Sequence, residues 1–145
     1  GLGKLEEAVE LLEYCLRNRE QLEDHRRGGI LKNLGGLYLS LGKLEQADEH
    51  YIQGAELLGR SLGKEHPIYL ATQEERIQYL YFTGRTDDAL QLALSMIRAT
   101  EDRYGPGHPH TAQSYSSTSL LAFKAERWEV ALELMRAALK IWLIL

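Results

Sequence analysis

The stretch Gly42-Lys43-Leu44-Glu45-Gln46-Ala47 returns along the chain as Gly84-Arg85-Thr86-Asp87-Asp88-Ala89 and again as Glu126-Arg127-Trp128-Glu129-Val130-Ala131. The three starts are 42 residues apart, and a front echo, Gly3-Lys4-Leu5-Glu6-Glu7-Ala8, precedes them by 39. His66-Pro67 and His108-Pro109 share the 42-residue spacing. Two independent marks with one period make the chain a repeat array. Each unit of such an array buries its apolar face only by stacking on its neighbours. Arrays of this kind usually serve as surfaces that hold other proteins.

At 145 residues the chain has the size of one ordinary domain. The period divides that domain into the second half of a repeat (1–24), two full repeats (25–66 and 67–108) and a third that stops short (109–145). Apolar residues make up 44%, enough for a packed core. A net charge of −4 argues against a nucleic-acid partner, which calls for a basic stripe. No apolar run nears the roughly 20 residues of a membrane span. Cys15, the single cysteine, excludes an internal disulfide and fits a reducing, cytoplasmic setting. The chain opens mid-repeat and ends on the apolar run Ile141 to Leu145, so an excerpt of a longer protein is expected.

Helical periodicity runs throughout, with no strand pattern. The first helix is expected from Lys4 to about Leu22, followed by a polar link that ends in Gly28-Gly29. The second should run from Ile30 to Leu41, with Gly35 and Gly36 marking a close helix approach and Gly42 as a left-handed cap. Leu44 to Leu62 follows, capped by Gly63. Pro67 opens a helix that reaches Thr83, since proline loses nothing in a first turn. Thr86 reads as the N-cap of the next helix, with Asp87 and Asp88 in its first turn. The last pair spans Pro109 to Lys124 and Trp128 to about Leu143. Trp128 reads as core, and the semi-buried Arg76 should extend its head to water.

In the clearest copy, Leu31, Leu34, Gly35, Tyr38, Gly42, Ala47 and Tyr51 stand at the large and small positions of a helix–turn–helix unit that resembles the tetratricopeptide repeat. The 42-residue period and the Gly-x-x-His-Pro breaks resemble the longer subclass of kinesin light chains and nephrocystin-like proteins. Gln73, Arg76, Thr118, Ser119, Ala122 and Glu126 depart from the family's pattern. The resemblance implies an all-α fold: a right-handed superhelical solenoid of antiparallel helix hairpins, about seven helices in all. It also implies a non-catalytic module that binds a peptide or partner helix in its concave groove. The alternative is a regulatory or substrate-positioning segment of a larger enzyme or ATPase.

The groove face is read from helical spacing on the first helix of each pair. It comprises Lys32, Asn33 and Gly36, then Glu74, Glu75, Gln78 and Tyr81, then Gln113, Ser116 and Ser117. Lys32 and Asn33 suit a peptide backbone or acidic group, Glu74 and Glu75 a basic side chain, and Tyr81 an apolar contact. The two glutamates speak against a ligand's terminal carboxylate. For any single residue, a solvated surface position is the competing reading. His66, His108 and His110 fall short of a metal site, because two of them already open helices before proline. The carboxylate pairs Glu6-Glu7 and Asp87-Asp88 are first-turn helix charges, and there is no phosphate loop or nucleophile elbow. Neither an enzyme nor a bound cofactor is expected. Leu132, Met135, Leu139, Ile141 and Trp142 form a broad apolar face on the last helix. That face is either the seam for a further repeat or a surface for self-association.

Overall fold

Seven helices make up the computed structural model, which describes residues 1–18 and 21–144, and no strand occurs among the described residues. They are α1 (Leu2–Asn18), α2 (Asp24–Ser40), α3 (Leu44–Leu62), α4 (Pro67–Phe82), α5 (Thr86–Tyr104), α6 (Pro109–Lys124) and α7 (Trp128–Ile144). Residues 19 and 20 of the expected first helix, and the last residue of the apolar tail, lie outside the described residues, while residues 21 and 22 are described and not helical, so α1 does not reach Leu22 as expected. By packing the chain forms two compact units, 1–72 and 73–145, which divide within α4.

Three turns are built alike. After α2, Gly42 N–H donates to the Leu39 carbonyl at 3.0 Å and Lys43 N–H to that of Tyr38 at 2.9 Å. After α4, Gly84 donates to Tyr81 at 3.1 Å and Arg85 to Leu80 at 2.8 Å. After α6, Glu126 donates to Phe123 at 3.1 Å and Arg127 to Ala122 at 2.9 Å. This double closure satisfies the last helical carbonyls and requires a left-handed residue in the middle. Gly42 and Gly84 supply it at φ +75° and +85°, but in the third turn Glu126 is held at φ +60°. That conformation costs a residue with a side chain about 1–2 kcal/mol. A glycine there takes back about 0.4–1 kcal/mol through its freedom in the unfolded chain. Glu126→Gly is therefore expected to stabilise the protein by about 0.5–1 kcal/mol, read as a higher urea midpoint. A midpoint at or below that of the parent chain would contradict this account of the turn.

The same closure corrects the expectation for Thr86. Arg85 is the residue before α5, and no side chain caps the helix there. With its N–H already bonded to Leu80, Arg85 leads straight into the helix, so Thr86 is its first residue and not its cap. Asp87 and Asp88 lie in the first turn as expected. His66 and His108 open their helices in a specific way: each ring Nδ1 accepts the N–H two residues on, from Ile68 and His110, both at 3.1 Å.

In unit 1, α2 begins at Asp24 and not at Ile30. Gly28 lies inside the helix because α2 crosses α3 at that point. A methyl group on Gly28 would stand 2.9 Å from Leu58 Cγ, and one on Gly54 would stand 2.9 Å from both the Gly28 carbonyl oxygen and the Lys32 nitrogen. Gly35 is as tight, with a methyl 2.7 Å from Tyr51 Cδ2, whereas Gly36 has room, with its nearest neighbour at 3.4 Å. Of the two adjacent glycines, packing requires only the first. Leu34 and Leu58 are fully buried. α1 lays Val9 against Leu34, Tyr38 and Ala47, and the Tyr38 hydroxyl donates to Glu13 of α1.

In unit 2, Ile97 of α5 packs with Ala112 and Tyr115 of α6 and with Ala138 and Ile141 of α7. A second cluster joins Leu90, Ala122 and Ala131. Small residues on α6 allow this approach. Ser119, buried among them, donates its hydroxyl to the Ala131 carbonyl at 2.7 Å, which satisfies a group that burial would otherwise penalise. The Tyr115 hydroxyl donates to Glu101 of α5. Arg76 departs from expectation. Its Nη1 donates to Gln73 Oε1 at 3.0 Å while its Nε is buried without a hydrogen bond, so part of the head is enclosed and not held in water.

Candidate protein-interaction site

None of the ten residues singled out in the sequence is buried in the fold. In unit 1, α2 presents Asn33 as exposed and Lys32 and Gly36 as half-buried. The face follows from the helix itself: Leu31, Leu34, Gly35 and Tyr38 turn inward and leave these positions outside.

In unit 2, α4 carries Glu74 and Gln78 exposed, with Glu75 and Tyr81 half-buried. The Lys124 ammonium of α6 stands 4.7 Å from the centre of the Tyr81 ring, within range of a cation–π contact. Phe82 meets Tyr81 edge to face at 5.6 Å and is 81% exposed, so this end of α4 is aromatic as well as acidic. On α6, Gln113 and Ser117 are exposed and Ser116 is half-buried. Ser117 donates its hydroxyl to the Gln113 carbonyl of its own helix at 2.7 Å, which leaves it as an acceptor toward a ligand.

A cleft of about 790 Å³ opens between α6 and α7. Gln113, Ser116 and Ser117 form its polar wall, and Phe123, Trp128 and Leu132 its apolar wall. Its size is that of a pocket able to take a side-chain cluster or a short segment. Trp128 corrects the sequence reading. It is 51% exposed and meets Phe123 edge to face at 5.0 Å, so it lines the cleft and is not core. As the first residue of α7, it stands ahead of the buried stripe Ala131, Ala138 and Ile141. Leu132 and Met135 are further cleft residues absent from the groove assigned by spacing. Their signal was the breadth of the apolar face on the last helix.

Elsewhere, Tyr104, His108 and His110 stack with ring centres 4.9–5.3 Å apart. Among the described residues no three histidine, cysteine or carboxylate side chains gather as metal ligands. Cys15 is half-buried on α1. No described helix is long and apolar enough to cross a membrane.

The tetratricopeptide repeat model matches residues 29–68. Among solved structures, the chain is similar to one from Podosopora anserina described as a kinesin light chain with nearly identical TPR-like repeats. Identity is 24% and the TM-score 0.73, over 97% of this chain and 68% of that one. A substituted form of the same protein matches at 24% identity and a TM-score of 0.71, over 96% and 67%. No curated protein sequence matches the chain. The tetratricopeptide repeat model thus accounts for residues 29–68, and the chain as a whole shares the all-α fold of these TPR-like repeat structures.

Proposed function

We propose that the chain binds a protein partner through peptide segments laid along the exposed faces of the first helices within each unit, with a basic side chain of the ligand at Glu74 and Glu75 in unit 2. Tetratricopeptide repeats generally mediate protein–protein interaction and are typically non-catalytic. The observation that carries the finer reading lies in unit 2. There Glu74, Gln78, Gln113 and Ser117 are all exposed on helices whose other sides are buried. Amides, hydroxyls and carboxylates spaced along helix faces match the backbone groups and cationic side chains of an extended or helical segment. In unit 1, Lys32 and Asn33 would hold a ligand's backbone or an acidic group. The reading places the chain in the cytoplasm, on the strength of its lone unpaired cysteine.

A peptide array probed with the protein tests this directly. Bound peptides are expected to be enriched in Lys and Arg, and their affinity should fall with salt as screening grows. Glu74→Lys combined with Glu75→Lys is expected to weaken the best of them about tenfold or more and to shift preference toward acidic peptides, since a like charge opposite a ligand cation is repulsive. Unchanged affinity in that double variant would remove the reading's main support.

A further inference from the structure

We propose that the ligand on unit 2 carries a second charge: an acidic residue seated on Lys124 beside the Tyr81 ring, three residues along an extended segment from the basic residue at Glu74. The proposal rests on the assignment of Glu74 and Glu75 to a ligand cation and adds the opposite pole of the same site. Lys124 ends α6, and its ammonium stands 4.7 Å from the centre of the Tyr81 ring on α4. Phe82 meets that ring edge to face at 5.6 Å and supports it. A lysine held over an aromatic face has given up part of its rotamer freedom before a ligand arrives, so meeting a carboxylate costs it less. Ser40, Phe82 and Lys124 hold one place in successive repeats, so the packing of the array does not call for a lysine here.

The ammonium is available to a ligand. Lys124 lines a polar cleft with Asp87, Asp88 and Glu126. Asp87 is taken by Arg127 at 3.1 Å and Asp88 by Arg85 at 3.2 Å. Among the described residues no carboxylate forms an ion pair with Lys124, and none with a cation holds Glu74, which is exposed. Glu74 and Tyr81 are seven residues apart on α4, so the two poles stand about 10 Å apart along one face. Gln78 is exposed between them, and Gln113 and Ser117 are exposed on α6. These amides and this hydroxyl suit a backbone whose N–H and C=O groups are free, which an extended segment offers and a helix does not. A polyproline-II segment returns to the same side every third residue after about 9 Å. A Lys or Arg and an Asp or Glu three residues apart, in either chain direction, therefore span the poles. On a helical ligand the same gap takes about seven residues.

The probes are labelled peptides with one central Lys in a neutral Gln, Ser and Ala background, with Asp set at each distance from one to seven residues on either side. They are titrated with the intact chain by fluorescence anisotropy. Asp three residues from Lys is expected to tighten binding about three- to fivefold over the Lys-only peptide, the upper range for an exposed ion pair. In Lys124→Gln that ratio should fall to about one, with the circular dichroism spectrum confirming the fold. Lys124→Glu should reverse it and favour a second Lys at the Asp place. A Lys-only peptide that binds through Glu74 and Glu75 but gains nothing from Asp at any distance would overturn this proposal alone and leave Lys124 as a helix-end charge. A gain that survives Lys124→Gln, or one greatest at seven residues, would overturn it too. Lys-only binding that is absent, or that ignores Glu74→Lys combined with Glu75→Lys, would overturn the assignment of the glutamates and this proposal with it.

Discussion

Gly54→Ala is expected to destabilise unit 1 by about 2–3 kcal/mol, while Gly29→Ala, the same chemical change on the facing helix, stabilises it by up to about 1 kcal/mol. Both glycines lie inside helices, where alanine is intrinsically better by about 1 kcal/mol. What differs is the space. A methyl on Gly54 meets two backbone atoms of α2, the Gly28 carbonyl oxygen and the Lys32 nitrogen, each at 2.9 Å. Neither can rotate away as a flexible side chain would, so α2 and α3 must separate. Separation loosens the contacts of Leu31, Leu34, Tyr51 and Leu58, all buried at this interface. Overpacking of this kind costs about 1–3 kcal/mol and sometimes more, which exceeds the gain in helix propensity. A methyl on Gly29 meets nothing within 4 Å, so there the propensity gain stands alone. Urea unfolding followed by circular dichroism reads both effects. A Gly54→Ala chain as stable as the parent would show that the α2–α3 crossing tolerates separation and that the glycine contact is not what fixes it.

This crossing also shows what the sequence could and could not disclose. The period, the helix pairs and the left-handed turns were legible because each depends on local chemistry repeated every 42 residues. The start of α2 was not. Gly28-Gly29 reads as a break by local preference, and only the facing Gly54 on α3 makes a glycine inside a helix favourable. Thr86 fails as a cap for a similar reason, since the turn closure through Arg85 decides where α5 begins and outweighs the hydroxyl's preference. The slot of Trp128 in the repeat points to the core, yet burial of that slot depends on what lies over it, and the ring stands at the open edge of the α6–α7 cleft. The polar face positions were legible throughout, because helical spacing alone decides which residues turn away from a buried stripe. Spacing gives the direction of a side chain and not its ligand, which is why the binding role of Glu74 and Glu75 needs the array experiment.

Stability is expected to fall steeply between about pH 10 and 12, with Tyr38 and Tyr115 as identifiable contributors. Each phenol is pushed up to about 12, first by burial and then by the hydrogen bond it donates to a carboxylate and by the charge of that carboxylate. The acceptors are Glu13 for Tyr38 and Glu101 for Tyr115. Both tyrosines are only 8% exposed. Below the unfolded value of about 10, each phenol keeps its proton in both states and its full contribution is present. Between that value and about 12 the unfolded chain releases the proton while the folded one retains it, so unfolding gains from every rise in pH. Each tyrosine then withdraws stability on the order of 2 kcal/mol, and the two together approach the whole margin of a weakly stable domain. Urea midpoints taken at half-unit steps from pH 8 to 12 measure the fall. Tyr38→Phe and Tyr115→Phe should each lower stability near pH 8, where the lost hydrogen bond counts for about 1 kcal/mol, yet flatten the decline above pH 10. The crossing of the two curves is the signature. A phenylalanine chain whose stability fell in parallel with the parent across the whole range would show that its tyrosine is not held protonated by the fold.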